Sequence, residues 1–173
     1  MYEKRRLIKV ISLFFEKIKS VSFSAALIGG ITLFVMCLTV TYSVFSRYVL
    51  RNPIPELNEA SQYMMLIMVF LGTAYTLWIE GHVKAELLIN RLRPQIRDRL
   101  LLINYFFCLF WSIVLVWKTT EMTYQSFQMG FRSSGATGWY LFPFYIWVPL
   151  GCLLLCLVAC SKIYYQAGRL KEK

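Results

Sequence analysis

Four long apolar runs constrain the fold of this chain more than any other feature of its sequence. They cover residues 23–45, 57–79, 100–120 and 141–163. A helix of about 20 apolar residues rises about 30 Å, which matches the hydrocarbon core of a bilayer. Of all residues, 58% are hydrophobic and only 16% are charged, whereas soluble domains carry about 25% charged residues. The sequence therefore predicts an all-α integral membrane protein with four transmembrane helices, in a single membrane domain over residues 1–173.

The basic residues indicate how the chain is oriented. Of the 19 Lys and Arg residues, 15 lie in the N-terminal segment, the loop between the second and third spans, and the C-terminal segment. Because cytoplasmic loops carry the excess of Lys and Arg, both termini and the middle loop are predicted to be cytoplasmic. The net charge of +10 is divided among short clusters between apolar runs, without a basic face or an RNA-binding motif. The sequence therefore predicts no nucleic-acid partner.

The N-terminal segment before the first span has the pattern of an amphipathic helix. Leu7, Ile11, Phe14 and Ile18 recur at helical spacing, and lysines occupy the opposite side. Such a helix is typical of the membrane interface, so an interfacial helix is predicted over residues 7–20. A soluble surface helix packed on a partner is the alternative. Charged residues interrupt the apolar part and no small-residue cleavage site follows, so the segment is predicted to be retained rather than cleaved.

The connections between the spans give further local predictions. Glu56 and Glu59 fall in the first turn of the second span, where the helix dipole favours carboxylates; contact with a partner is the alternative role. In the middle loop a short interfacial helix is predicted over residues 83–92. Lys118 and Glu121 are three residues apart at the end of the third span and are predicted to pair. Residues 126–140 are predicted to form turns only, and two prolines are predicted to bend the fourth span.

The sequence gives no indication of catalytic or cofactor chemistry. The five cysteines lie inside the predicted spans without a CxxC pair, which favours packing roles over a disulfide or a zinc site. One histidine is too few for axial haem ligation, and no phosphate-binding glycine loop, carboxylate cluster or nucleophile–base set is present. The chain is therefore predicted to have no cofactor and to be no enzyme. The spans also lack charge at mid-membrane, which favours a scaffold over a self-sufficient transporter.

The segment around the second span resembles the small membrane subunit of tripartite ATP-independent periplasmic (TRAP) transporters. The order and spacing of short motifs over about fifty residues carry this resemblance. Asn58 stands where the family often has the first of two glutamates, and Glu86 replaces an aspartate. The matching elements are Arg47-Tyr48-Val49, Pro53, Glu59, Val69-Phe70-Leu71-Gly72, Gly81-His82-Val83, Glu86-Leu87-Leu88 and Pro94, followed later by Ser133-Ser134, Pro143 and Pro149.

The resemblance implies a partner system in the bacterial inner membrane. A periplasmic substrate-binding protein delivers an organic acid, of the carboxylate or sialic acid class, to a large TRAP membrane subunit that couples uptake to sodium. The chain itself is implied to scaffold that large subunit among membrane phospholipids. Residues expected to contact partners or lipid are Arg47, Tyr48, Arg51, Pro53, Glu59 and Arg132 at the periplasmic end, His82, Lys84 and Arg91 at the cytoplasmic end, and Gly72 at a close helix contact.

Two other functions remain open from the residues alone. The first is a self-sufficient small transporter or channel acting as a homo-oligomer, which would require charge or a broken helix at mid-membrane. The second is a general assembly or chaperone-like membrane protein, which would not bind a large transporter subunit.

Overall fold

The computed structural model of the chain describes residues 2–79, 94–135 and 137–171. The helices are α1 (Tyr2–Tyr48), α2 (Pro55–Trp78), α3 (Pro94–Met129), the short α4 (Phe142–Tyr145) and α5 (Trp147–Lys171). Within these residues, four helical segments are long and apolar enough to cross a membrane: Phe15–Tyr48, Pro55–Trp78, Ile96–Met129 and Phe142–Gly168. The prediction of four membrane-spanning helices is confirmed.

The helices pack as an open row rather than as a closed bundle. The main contacts join α1 to α2, α2 to α5 and α5 to α3, so that α2 and α5 are central while α1 and α3 are the outer helices. The connections over residues 49–54 and 130–141 lie at one end of the row, here named the loop end. At the opposite end an apolar cluster that includes Ile18, Leu77, Tyr105 and Val158 joins all four long helices. Large apolar side chains on α1 and α3 remain exposed, as expected for surfaces covered by lipid or by a partner.

Several element bounds differ from those expected from the sequence. Residues 7–20 are helical but continue without a break into the first span, so no separate N-terminal helix is present. Helix α3 continues to Met129, about two and a half turns beyond the expected end of the third span, because no proline or glycine interrupts the residues from Lys118 to Met129. The expected helix over residues 83–92 lies outside the described residues.

The fourth span is interrupted near its start. Helix α4 ends at Tyr145, Ile146 is a turn residue, and α5 begins at Trp147. The interruption falls between Pro143 and Pro149, each of which lacks the backbone N–H that an unbroken helix would use. Ile146 itself keeps helical backbone angles, with φ −61° and ψ −27°, so the bend that the two prolines predict stays a prediction.

Seven threonines inside the spans satisfy their hydroxyl hydrogen bonds within their own helix. Each donates to the carbonyl four residues earlier, at distances from 2.5 to 3.0 Å. Since hydrocarbon offers no hydrogen-bond partner, this internal pairing lets polar residues lie on surfaces that face lipid. The residues are Thr32, Thr39, Thr41, Thr73, Thr76, Thr119 and Thr120.

Candidate functional site

A buried carboxylate organises the loop end of the row. Glu59, in the second turn of α2, is only 7% exposed. Its Oε2 accepts a hydrogen bond from the Thr137 hydroxyl at 2.6 Å and a longer one from the Thr137 backbone N–H at 3.4 Å. The Ser133 hydroxyl is a further hydrogen-bond partner of this carboxylate. The start of α2 is thereby joined to the connection between α3 and α4, and we name Glu59, Ser133, Gly135 and Thr137 the Glu59 clamp.

Gly135 allows the connection to approach the carboxylate closely. A Cβ atom added there would contact Glu59 Oε2 and would lie 2.7 Å from its Cδ, so any side chain would displace the carboxylate or the loop. The loop around it is shaped by a short antiparallel bridge between Arg132 and Tyr140, in which the Ser133 N–H donates to the Trp139 carbonyl at 2.8 Å. Residues 126–140, expected to form turns alone, therefore begin with the last turn of α3 and then contain one isolated bridge; we name the connection that carries this bridge the hairpin.

Aromatic rings pack beside the clamp. Tyr63, one turn after Glu59, stacks on Phe144 of α4 with centroids 4.2 Å apart and rings 13° from parallel. Trp139 from the hairpin lies 6.1 Å from the same Phe144 ring. The Tyr63 hydroxyl also lies 3.4 Å from Glu59 Oε1, as a hydrogen-bond donor. The cluster thus supports the carboxylate from the apolar side and fixes α4 on α2.

The connection between α1 and α2 is held by side-chain hydrogen bonds. The buried Ser46 hydroxyl donates to the Asn52 carbonyl at 2.6 Å, and the Ser43 hydroxyl donates to Asn58 Oδ1 at 3.1 Å. Arg51 has a positive φ of 52°, a conformation that costs a non-glycine residue free energy but turns the chain sharply. Asn58, which departs from the pattern of the resembled family, therefore serves as an acceptor for α1.

The sequence-predicted residues at the loop end separate into one buried group and an exposed set. Glu59 is inside the clamp, whereas Arg47, Tyr48, Arg51 and Pro53 are exposed along the α1–α2 connection. The exposed Arg132 lies across the end on the hairpin, where its guanidinium stacks on Tyr140 at 4.5 Å from the ring centroid. Glu59 thus joins two segments of its own chain. This role differs from both predicted ones, which were stabilisation by the helix dipole and contact with a partner.

Close helix contacts in the row depend on two other glycines. A Cβ added at Gly151 of α5 would contact the Phe70 carbonyl of α2 and would lie 2.7 Å from its carbonyl carbon. A Cβ at Gly29 of α1 would lie 3.3 Å from the Met68 carbonyl and 3.8 Å from the Gly72 nitrogen. A Cβ at Gly72 itself would meet nothing within 4 Å. Within the described residues, the close approach of α1 to α2 therefore depends on the absence of a side chain at Gly29 and not at Gly72.

Helix α3 carries an ion pair on its exposed side. Lys118 Nζ lies 2.8 Å from Glu121 Oε2, which confirms the predicted pairing. Both side chains are well exposed, at 71% and 46%. Nearby, an apolar groove of about 360 Å³ opens between α3, α4 and α5, lined by residues that include Thr120, Tyr124, Phe127, Phe142 and Leu153.

Some predicted site residues are not described by the structure, and some residues of the clamp were not predicted from the sequence. His82, Lys84 and Arg91 lie outside the described residues. Ser133, Gly135 and Thr137 were not expected as partners of a glutamate. The sequence marks them only as part of a run of small and hydroxyl residues, at positions 133–138 in the connection between the third and fourth spans. Within the described residues no group of His, Cys, Asp and Glu is placed to hold a metal ion.

A family model described as "Tripartite ATP-independent periplasmic transporters, DctQ component" matches residues 36–169, which is most of the chain and includes the clamp. A search of curated proteins finds no match to the chain.

Proposed function

Because the chain belongs to the DctQ family, the small membrane components of tripartite ATP-independent periplasmic transporters, we propose that it scaffolds the large substrate-translocating subunit of such a transporter. The family places it in a multi-pass membrane system that also includes a large membrane subunit and a periplasmic binding protein. The proposed transport is sodium-coupled uptake of an organic acid across the bacterial inner membrane. In this proposal the substrate and sodium sites lie in the partner subunits.

The observation that carries the scaffold proposal is the backbone-to-backbone packing of the central helices. At Gly151, helix α5 lies directly on the carbonyl of Phe70 in α2, and at Gly29 helix α1 lies on Met68. Small residues at such contacts allow helices in lipid to approach closely and to gain packing and dispersion energy along their length. Helices that pack backbone against backbone resist sliding past one another. A scaffold for a moving transport domain requires this property.

The loop end supplies a surface suited to partners outside the bilayer. In the proposed orientation, with both termini cytoplasmic, this end faces the periplasm. The Glu59 clamp fixes the hairpin relative to α2, and Arg47, Arg51 and Arg132 are exposed around it together with Tyr48 and Pro53. Cationic side chains on a fixed backbone favour oriented association with an acidic surface. We propose that these residues contact the large subunit or the docked binding protein.

The opposite end is proposed to anchor the chain at the cytoplasmic face of the membrane. His82, Lys84 and Arg91 would lie near phospholipid headgroups. Lys162, which lies 5.6 Å above the Trp78 ring, is placed at the same end of the row. Aromatic and basic residues at this level resist tilting of the helices.

Co-purification with transport tests the proposal. The tagged chain is expressed with the proteins encoded beside it, extracted in mild detergent and analysed for bound partners, and uptake of organic acids is measured with and without sodium. The expected result is a stoichiometric large polytopic partner and uptake that requires both proteins and sodium. Transport by the lone chain in liposomes would overturn the scaffold function and support a homo-oligomeric transporter.

A further inference from the structure

Helix α3 has two stripes of residues that are spaced three and four apart on opposite sides. The inner stripe includes Ser112, Thr123 and Ser126, which are 0, 8 and 1% exposed and lie against the rest of the row. The outer stripe consists of Trp117, Glu121, Tyr124 and Gln128, all exposed. Alternating steps of four and three residues keep side chains in line along a neighbouring helix. The outer stripe therefore has the spacing of a helix-packing surface, and nothing in the part of the chain that the structure describes covers it.

The outer stripe is polar although it lies on a membrane helix. Glu121 forms the ion pair with Lys118, and Gln128 Nε2 donates to the Tyr124 hydroxyl at 2.6 Å. Pairing lowers the cost of these groups but leaves their other hydrogen-bonding sites open toward the outside of the row. Ionisable groups within a membrane helix are expensive against lipid and usually face protein or water.

Contacts across the row place the ion pair at a distance from the loop end. The Thr123 hydroxyl donates to the Tyr145 carbonyl at 3.2 Å, and the adjacent Phe144 stacks on Tyr63 of α2. Glu121 is therefore level with residues near Tyr63, and Tyr63 is five positions along α2 from Asn58, where α2 bonds α1. Five residues of helix rise about 7.5 Å. Both charged residues thus lie inward of the level at which α1 and α2 are joined.

The other outer helix provides the contrast. The side of α1 turned away from the row carries Leu27, Ile31, Phe34 and Leu38, whose exposed fractions are 58, 58, 66 and 56%. No ionisable Asp, Glu, Lys, Arg or His occurs between residues 23 and 46. This surface is typical of contact with acyl chains, so the two edges of the row differ in chemistry. Leu38, five positions before Ser43, lies at about the depth of Glu121.

We propose that the outer stripe of α3 is the surface that binds the large membrane subunit, whereas the outer stripe of α1 faces lipid. The inference rests on the proposed function and adds to it the edge of the row at which the partner packs. A helix of the large subunit covers Glu121, Tyr124 and Gln128 and supplies polar groups to the ion pair. The apolar groove beside Tyr124 accepts a large apolar side chain of that helix.

Site-specific photo-crosslinking in native membranes tests the proposal. The aromatic crosslinker p-benzoylphenylalanine replaces Tyr124 in one variant and Phe34 in the other, since both are exposed aromatic residues on outer stripes, at 59 and 66%. The chain is co-expressed with the large membrane subunit, irradiated and analysed by mass. The expected result is at least ten times more crosslinked large subunit from position 124 than from position 34, while the uncrosslinked complex is recovered equally from both variants.

The outcomes separate this inference from the function on which it rests. If the large subunit co-purifies but crosslinks at position 34, equally at both positions or at neither, the α3 surface is wrong and the scaffold function stands. If no large subunit co-purifies with either variant or with the unmodified chain, both fail. In a second measurement, the ion pair is replaced by K118L and E121L together. Recovery of the complex is expected to fall at least tenfold, because the polar groups of the partner lose their hydrogen-bond partners on α3. Unchanged recovery overturns the proposal.

Discussion

The packing of α5 on α2 predicts a large effect from adding a single methyl group at Gly151. An alanine Cβ at this position would lie 2.7 Å from the carbonyl carbon and 2.8 Å from the Cβ of Phe70. Favourable contacts between carbon atoms are about 3.5–4.0 Å, so the two backbones would have to separate by about 0.8 Å. Because the obstacle is a helix backbone rather than the end of a flexible side chain, the neighbour cannot simply rotate away.

The expected destabilisation follows from two opposing effects. Overpacking of a close contact typically costs about 1–3 kcal/mol. A separation of 0.5–1 Å also removes roughly a quarter to a half of the dispersion attraction between the facing atoms. Alanine favours helix over glycine by about 1 kcal/mol, which offsets part of this cost. The net expected loss for Gly151→Ala is about 1–2 kcal/mol, a shift of about five- to thirtyfold in the unfolding equilibrium.

Gly168 supplies the matched control, since it lies on the same helix and a Cβ there would meet nothing within 4 Å. Gly168→Ala should leave stability unchanged or raise it by up to about 1 kcal/mol through helix propensity alone. Both variants are compared by equilibrium unfolding of the purified chain in mild detergent, and recovery of the complex is measured in parallel. If Gly151→Ala is as stable as Gly168→Ala, the α2–α5 backbone contact does not determine the packing of the row and the reasoning fails.

Three further substitutions examine the loop end. Gly135→Ala should displace the Glu59 carboxylate and increase proteolysis of the hairpin while the four helices stay folded by circular dichroism; unchanged proteolysis would contradict the clamp. Ser46→Ala should cost about 1 kcal/mol in detergent unfolding, because the bond to the Asn52 carbonyl is lost; an unaltered unfolding curve would show that the turn does not depend on it. Arg47→Ala should lower recovery of the large subunit or of the docked binding protein without changing the stability of the isolated chain, since its side chain is exposed; equal recovery of both partners would remove it from the proposed contact surface.

The number of membrane helices could be predicted because it depends on length and composition alone. An apolar run of sufficient length forms a helix in lipid regardless of which helix it contacts, since every backbone group must be satisfied internally. The order of the helices in the row could not be predicted in this way. The contact side of α1 is marked by Ser22, Ala25, Gly29 and Ser43, which differ from the exposed side in size rather than in hydrophobicity. The residues Ala26 and Gly30, which form an equivalent small pair in the sequence, lie outside that contact side.

The clamp could be predicted only in part for a similar reason. A carboxylate at the start of an apolar span is favoured by the helix dipole, and the family resemblance adds Glu59 to the residues expected to contact partners. Its partner Thr137 lies 78 residues away, and nothing local to either residue encodes the pairing. The Lys118–Glu121 bond, in contrast, could be predicted from spacing because both residues lie on one helix and the distance between them is fixed by helical geometry.

The two ends of the row are held together by different sets of contacts, and this bears on how the chain could support a moving partner. At the loop end three polar links join neighbouring segments: Ser43 to Asn58, Glu59 to Thr137, and Thr123 to Tyr145. At the opposite end an apolar cluster joins the four long helices, and Gln166 Nε2 of α5 donates to the carbonyl and to Oδ1 of Asp98 of α3, each at 3.3 Å. Hydrogen bonds fix direction as well as distance, and close-packed apolar side chains have low compressibility. Both ends should therefore keep their geometry when a binding protein docks, as a frame for a moving partner requires.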